Sequence, residues 1–265
     1  MFKVNGVPIK IERFPDGTPR LNIAIVVPEA TIEWLYEKNE EMILFFIARH
    51  LREKYAPKRL DLYVPYLPNA RMDRTENKEE VFTLKYFCEL INSLNFDKVI
   101  VRDVHSKVSL DLLKNVVQED ISTVLKELAG RLLDPKKDIV FFPDEGSRKR
   151  YSQMVDFPTA YGVKKRDWNT GDIIKLDVKG DVPAKPFNVL IIDDISSYGG
   201  TFLFSAKKLK QLGANKIYLY VTHCENSILE GNLIASGLLE RIFTTKSIFT
   251  EKHPLIEIIG GDVNE

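Results

Sequence analysis

Apolar and polar positions switch between a period of two and a period near 3.6 along this chain, and each switch marks a strand or a helix. Residues 1–14 alternate as a strand does. Within and beyond them, 9–14 and 21–27 read as two strands around the turn Pro15-Asp16-Gly17. Residues 40–55 carry Ile43, Phe46, Ile47 and Leu51 at helical spacing, and 81–94 place Leu84, Phe87, Leu90, Ile91 and Leu94 on one face. Short apolar runs at 60–64 and 98–101 read as buried strands. The second half repeats the theme, with helices over 121–132 and 201–212 and strands over 138–142, 189–193 and 217–222. Strands alternating with helices predict an α/β fold, with mostly parallel sheets covered by helices on both faces. Two domains of similar size are expected, 1–120 and 121–265. No internal repeat, low-complexity tract or composition shift marks the join.

Composition narrows the class of function. The 265 residues carry 38 lysines and arginines against 38 aspartates and glutamates. This balance argues against a protein whose main work is gripping nucleic acid or an anionic membrane. Runs such as 23–27 and 42–48 are far too short to span a bilayer, which takes about 20 residues. Residues 1–14 have no signal-peptide core. Cys88 and Cys224 cannot form a disulfide framework or a four-thiolate zinc site, which suits a reducing compartment. A soluble cytoplasmic protein is expected.

The strongest chemical signal is Val189-Leu190-Ile191-Ile192-Asp193-Asp194-Ile195-Ser196-Ser197-Tyr198-Gly199-Gly200-Thr201. An apolar strand ends in two carboxylates, and a small-residue loop then opens a helix. Open α/β sheets bind ligands beyond the carboxyl ends of their strands. Glycines let the backbone approach an anion, and the helix N-terminus supplies N–H donors. Asp193 and Asp194 are suited to accept hydrogen bonds from vicinal hydroxyls, as on a ribose. The plainer alternative is a strand-to-helix turn with a cap.

This loop resembles the diphosphoribosyl-binding loop shared by phosphoribosyltransferases and phosphoribosyl pyrophosphate synthetases. The rest of the chain is similar to the synthetases, the ribose-phosphate diphosphokinase family, and the ordered motifs run from about Phe14 to Phe249. Phe14, Asp16 and Gly17 match the family's F-x-D-G-E segment, with Thr18 in place of the glutamate; in that family the segment reaches across a subunit interface to the adenine of ATP. Pro65-Tyr66-Leu67-Pro68-Asn69-Ala70-Arg71-Met72-Asp73-Arg74 is similar to P-Y-x-x-Y-A-R-Q-D-R, which holds ATP. Arg102-Asp103-Val104-His105 stands for V-D-L-H, and Pro143-Asp144-Glu145-Gly146 for P-D-x-G. Val163-Lys164-Lys165-Arg166-Asp167 sits where the family has K-R-R at the base of a catalytic loop. Taken singly, these stretches are a hairpin turn, a solvated loop, a structural histidine and a surface basic run. His223 and the stretch 244–248 also look like family positions, whereas His50 and His253 suggest nothing.

The resemblance implies two phosphoribosyltransferase-like domains and a pyrophosphokinase. This enzyme would move the β,γ-diphosphoryl group of ATP to the anomeric hydroxyl of a ribose phosphate and release AMP. Lys164 and Arg166 would be the catalytic cations. Phe14, Asp16, Arg71, Asp73, Arg74 and His105 would bind ATP, and His105 and Asp144 would hold Mg2+. Asp193, Asp194, Ser196, Ser197, Tyr198, Gly199, Gly200 and Thr201 would take the ribose phosphate. A homo-oligomer, dimer or hexamer, is implied as well. The chain is shorter than usual for the family, and the family's first strand and helix are expected to be missing. Ser197-Tyr198 also replaces the Asp-Thr of the family's D-T-G-G-T. A bulky phenol in a loop that wraps a 5-phosphate suggests ADP-ribose as an alternative acceptor. A phosphoribosyltransferase and a non-catalytic protein that assembles with an active synthetase are the remaining alternatives. The Arg71–Arg74 stretch argues against the first, and the retained basic pair, histidine and strand-end aspartates argue against the second.

Overall fold

The computed structural model describes residues 1–24, 28–166 and 173–260, without the side chains of 164–166 and 173–175. The chain divides into two compact units, Met1–Asp120 and Ile121–Glu265. The first contains β1 (Phe2–Val4), β2 (Val7–Pro8), β3 (Ile11–Arg13), β4 (Pro19–Leu21), β5 (Glu29–Trp34), α1 (Glu41–His50), β6 (Arg59–Tyr63), α2 (Thr83–Ser93), β7 (Lys98–Arg102), α3 (Lys107–Leu112) and β8 (Val116–Glu119). Its main sheet has the order β2-β1-β5-β6-β7-β8, parallel from β5 to β8, with β3 and β4 as a separate hairpin. Strand positions that alternate in sequence bury Phe2, Ile32, Trp34, Leu60 and Leu62 against Ile43, Leu44 and Ile47 of α1 and Leu84 and Ile91 of α2.

The second unit contains α4 (Ser122–Leu132), β9 (Ile139–Phe142), α5 (Glu145–Tyr151), β10 (Thr159–Arg166), β11 (Ile173–Gly180), β12 (Phe187–Ser196), α6 (Gly200–Leu212), β13 (Ala214–Cys224), α7 (Asn232–Ala235), β14 (Arg241–Thr244) and β15 (Ile256–Ile258). Its sheet has the order β11-β10-β9-β12-β13-β14-β15, and only the β10–β11 pair is antiparallel. Successive side chains of a strand point to opposite faces. Ile139, Phe141, Val189 and Ile191 therefore pack with Phe202, Ala206 and Leu209 of α6 on one face. Val140, Phe142, Leu190 and Ile192 pack with Leu125 and Leu128 of α4 and with Tyr151 on the other. This two-sided burial explains why β9 and β12 read as unbroken apolar runs.

The α/β class with mostly parallel sheets is as the periodicity predicts. Several boundaries differ, and β12 and β13 run longer than the strands read over 189–193 and 217–222. The helical pattern over 40–55 is α-helical only to His50 and continues as a π-helical turn, Leu51–Tyr55, ended by Ala56 at φ 44°. Pro57 follows, whose fixed φ and missing N–H close off further helix. The strand expected over 9–14 shortens to β3, while the one expected over 21–27 meets β4 only at Leu21, residues 22–24 are not strand, residues 25–27 lie outside the described residues, and β5 over 29–34 carries no corresponding expectation.

Candidate active site

The second sheet reverses its winding between β9 and β12. The chain steps from β9 to β10 on one side, then returns to lay β12 against the other side of β9. Such a switch opens a crevice beyond the carboxyl ends of the two strands. Asp144 follows β9 there, and Asp193 and Asp194 lie near the carboxyl end of β12, which runs on to Ser196. Asp194 is only 4% exposed and forms an ion pair with Arg150 of α5, Nη1 to Oδ2 3.0 Å. The half-buried Asp193 points to the α6 side and accepts the Asp194 N–H on Oδ1 at 3.0 Å. Burial pushes its carboxyl well above the usual range, and the charges of Asp194 and Asp144 push it the same way. Adjacent strand residues thus divide the two aspartates between faces. Asp193 is presented to the crevice, while Asp194 is braced by an arginine the sequence did not single out.

Asp144 is the N-cap of α5. Its Oδ1 accepts the Ser147 N–H at 3.0 Å, and Ser147 Oγ lies 3.3 Å from the Asp144 N–H, a reciprocal capping box. One carboxylate oxygen is therefore committed to holding the helix start.

The loop after β12 is clamped from behind by the segment following β13. Gly199 caps α6 with φ 80°, and a Cβ there would lie 2.7 Å from Leu233 Cδ2. A Cβ on Gly231 would overlap the Tyr198 carbonyl oxygen. The Glu225 N–H donates to the Ser196 carbonyl at 2.8 Å, and Ser197 Oγ lies 3.1 Å from Ser227 Oγ. The first N–H groups of a helix lack intrahelical acceptors and favour an anion. Gly200 has open space where a side chain would be, so the backbone at the start of α6 is approachable. Tyr198 projects outward, 58% exposed. Glu225, Ser227, Gly231 and Leu233 escaped the sequence reading. The available signal was their position just past the carboxyl end of a neighbouring strand.

Lys164 and Arg166 stand in β10, in register with Leu176 and Ile173 of β11, so this basic run belongs to a β-hairpin. Their side chains, and Asp167, lie outside the described residues. Gly162, at the base of the hairpin, has no room for a Cβ, which would fall 2.6 Å from the Pro143 carbonyl oxygen. The hairpin is thereby seated against the turn that carries Asp144.

In the first unit, the 64–74 and 102–105 stretches leave the carboxyl ends of the adjacent parallel strands β6 and β7, tied by the Arg102 N–H to the Pro65 carbonyl at 3.0 Å. Tyr66 packs its ring 5.8 Å from that of Tyr36, which follows β5. Arg71 and Arg74 are exposed, Asp73 and His105 are half-buried, and Asp103 is buried at φ 42°. Phe14 is exposed at the β3–β4 turn, where Asp16 accepts the Thr18 hydroxyl and N–H at 2.7 and 3.0 Å. These two bonds hold the Asp16 carboxyl below the usual range. The base of that hairpin is fastened by the Tyr55 hydroxyl to the Ile23 carbonyl, 2.8 Å.

Magnesium is commonly held by one or two carboxylates with water and substrate phosphates completing the shell. The mutual repulsion around Asp193 is what a cation relieves, so the donor set at the β9–β12 crevice fits such an ion. Among the described residues no cluster of three or more acidic, histidine or cysteine ligands stands ready to cage a metal without substrate. Burial pushes the thiols of Cys88 and Cys224 up to about 12, which leaves them inert as nucleophiles. No helix among the described residues is long and apolar enough to cross a membrane.

No family model matches the chain. It is 27% identical over 248 residues to the ribose-phosphate pyrophosphokinase of Pyrococcus abyssi, covering 90% of this chain and 81% of that one. With the ribose-phosphate pyrophosphokinase of Thermococcus kodakarensis it shares 29% identity over 241 residues, 88% and 81% of the two chains. The crystal structure of phosphoribosylpyrophosphate synthetase from Mycobacterium smegmatis superposes with a TM-score of 0.77 at 19% identity, covering 95% of this chain and 85% of that one, and so shares the fold.

Proposed function

From the kinship of this chain with the ribose-phosphate pyrophosphokinases, which makes it a divergent pyrophosphokinase-type transferase, we propose that it transfers the β,γ-diphosphoryl group of ATP to the anomeric hydroxyl of ribose 5-phosphate. The observation that carries this reading is the carboxylate group of Asp193, Asp194 and Asp144 at the β9–β12 switch, beside the open start of α6. Asp193 accepts hydrogen bonds from the ribose hydroxyls, and Arg150 holds Asp194 in place through their ion pair. The backbone N–H groups from Gly199 to Thr201 receive the 5-phosphate. Phe14, Asp16, Arg71, Asp73, Arg74 and His105 bind ATP. The acceptor hydroxyl oxygen attacks the β-phosphorus in line, the bond from that phosphorus to the oxygen bridging it to the α-phosphorus breaks, and AMP leaves. The hydroxyl proton passes to solvent. Lys164 and Arg166 stabilise the charge that builds on the transferring oxygens. In the second unit Asp144, beside Asp193, would help hold magnesium, and in the first unit His105 would contact Mg-ATP; the ion, when bound, would neutralise phosphate charge.

Tyr198 favours a second acceptor. An exposed aromatic ring beside an anion loop stacks on a planar group attached through the 5-substituent, as ADP-ribose offers. A mass-resolved assay with ATP, magnesium and each acceptor in separate tubes tests both. AMP with diphosphorylated ribose 5-phosphate supports the first acceptor, and AMP only with ADP-ribose supports the second. No AMP with either sinks the pyrophosphokinase proposal. Chelation of magnesium with EDTA is expected to abolish AMP release, and added magnesium to restore it.

A further inference from the structure

The segment behind the loop also sets the direction of a hydrogen bond within it. Ser227 Oγ donates to Glu225 Oε2 at 3.2 Å and lies 3.1 Å from Ser197 Oγ. A carboxylate only accepts hydrogen bonds, and a serine hydroxyl has one proton. With its proton given to Glu225, Ser227 receives the proton of Ser197. Ser197 Oγ is then left with lone pairs for any further partner. The Glu225 N–H bond to the Ser196 carbonyl and the close seat of Gly231 under Tyr198 hold the two segments in register. The resulting polarity opposes that of the surrounding backbone, whose N–H groups at the start of α6 attract an anion.

We propose that Glu225, acting through Ser227, is a positioning residue that holds Ser197 Oγ as a hydrogen-bond acceptor, so that this corner of the loop takes a sugar hydroxyl of the acceptor and rejects a phosphate oxygen. The inference rests on the reading of the loop as the acceptor site.

Sulfate reads this polarity directly, because it is a tetrahedral dianion with no proton to donate. Its affinity is measured by calorimetric titration at constant ionic strength for the full chain and for E225Q, S227A, S197A and the E225Q/S197A pair. The Glu225→Gln amide can donate to Ser227 and reverse the relay, while Ser227→Ala frees the Ser197 proton. Both variants are expected to bind sulfate about tenfold tighter, the worth of one added bond to an anion. Ser197→Ala is expected to erase the gain from Glu225→Gln, because the effect passes through that hydroxyl. A merely structural role would weaken sulfate binding in both variants, and that result, or an unchanged affinity, overturns the relay while leaving the anion loop standing. Absence of sulfate binding in every variant overturns the loop assignment and the relay together.

Discussion

At the scale of single residues, Asp193 carries an acid whose ionisation opposes folding. Its carboxyl is raised by burial and by neighbouring negative charge. The folded state therefore holds a proton that the unfolded chain releases. Its contribution to stability is full below the unfolded carboxylate value and is lost as pH rises from there through the raised folded value. Asp193→Asn is expected to raise the melting temperature at neutral pH, with the gain vanishing below about pH 4. Thermal melts across that range check the sign, and an equal gain at every pH would contradict it. The same substitution is expected to lower turnover, separating the stability of the site from its use. Lys164→Ala is expected to lower the rate of AMP release by about 10²–10³-fold, the usual cost of removing one stabilising charge from a developing oxyanion. The carboxylate pair was legible in the sequence because both residues follow directly on the apolar run of β12. Their unequal roles were not, since Arg150, which distinguishes them, lies on another element.

At the scale of elements, the loop between β12 and α6 is shaped as much by its support as by its own residues. Gly231→Ala places a methyl group into the Tyr198 carbonyl, and overpacking of this kind costs about 1–3 kcal/mol. A lower melting temperature is expected, with the KM for the acceptor raised more than the KM for ATP. Equal changes in both constants would mean that the contact is a general packing feature. Sequence periodicity located the principal helices and the strands β6, β7, β9, β12 and β13, because two-sided burial writes itself into strands such as β9 and β12 as apolar runs. It passed over β5 and β8 of the first sheet, β14 and β15, which are short, and the β10–β11 hairpin, which mixes Lys164, Lys165 and Arg166 with apolar residues. Short or mixed segments take their conformation from the neighbouring strand rather than from local pattern.

At the scale of the whole molecule, the family resemblance implies assembly. Phe14 is half exposed on a hairpin whose proposed contact is the adenine bound by a neighbouring copy. Sedimentation velocity is expected to find at least a dimer at assay concentrations, and Phe14→Ala to raise the KM for ATP. A fully active monomer would rule out an adenine site shared between copies. The local alternation of strands and helices determined the α/β class. The order of motifs along the chain determined the family resemblance, and the residue types determined which groups can accept, donate or carry charge. Tertiary structure alone decided that β9 lies beside β12, that Arg150 reaches Asp194, and that Glu225 and Ser227 stand behind Ser197. The physical reason is that periodicity and propensity act over a few residues. Strand order and register are set by packing between segments far apart in sequence, and the direction of a hydroxyl bond is set by whichever charge that packing brings near.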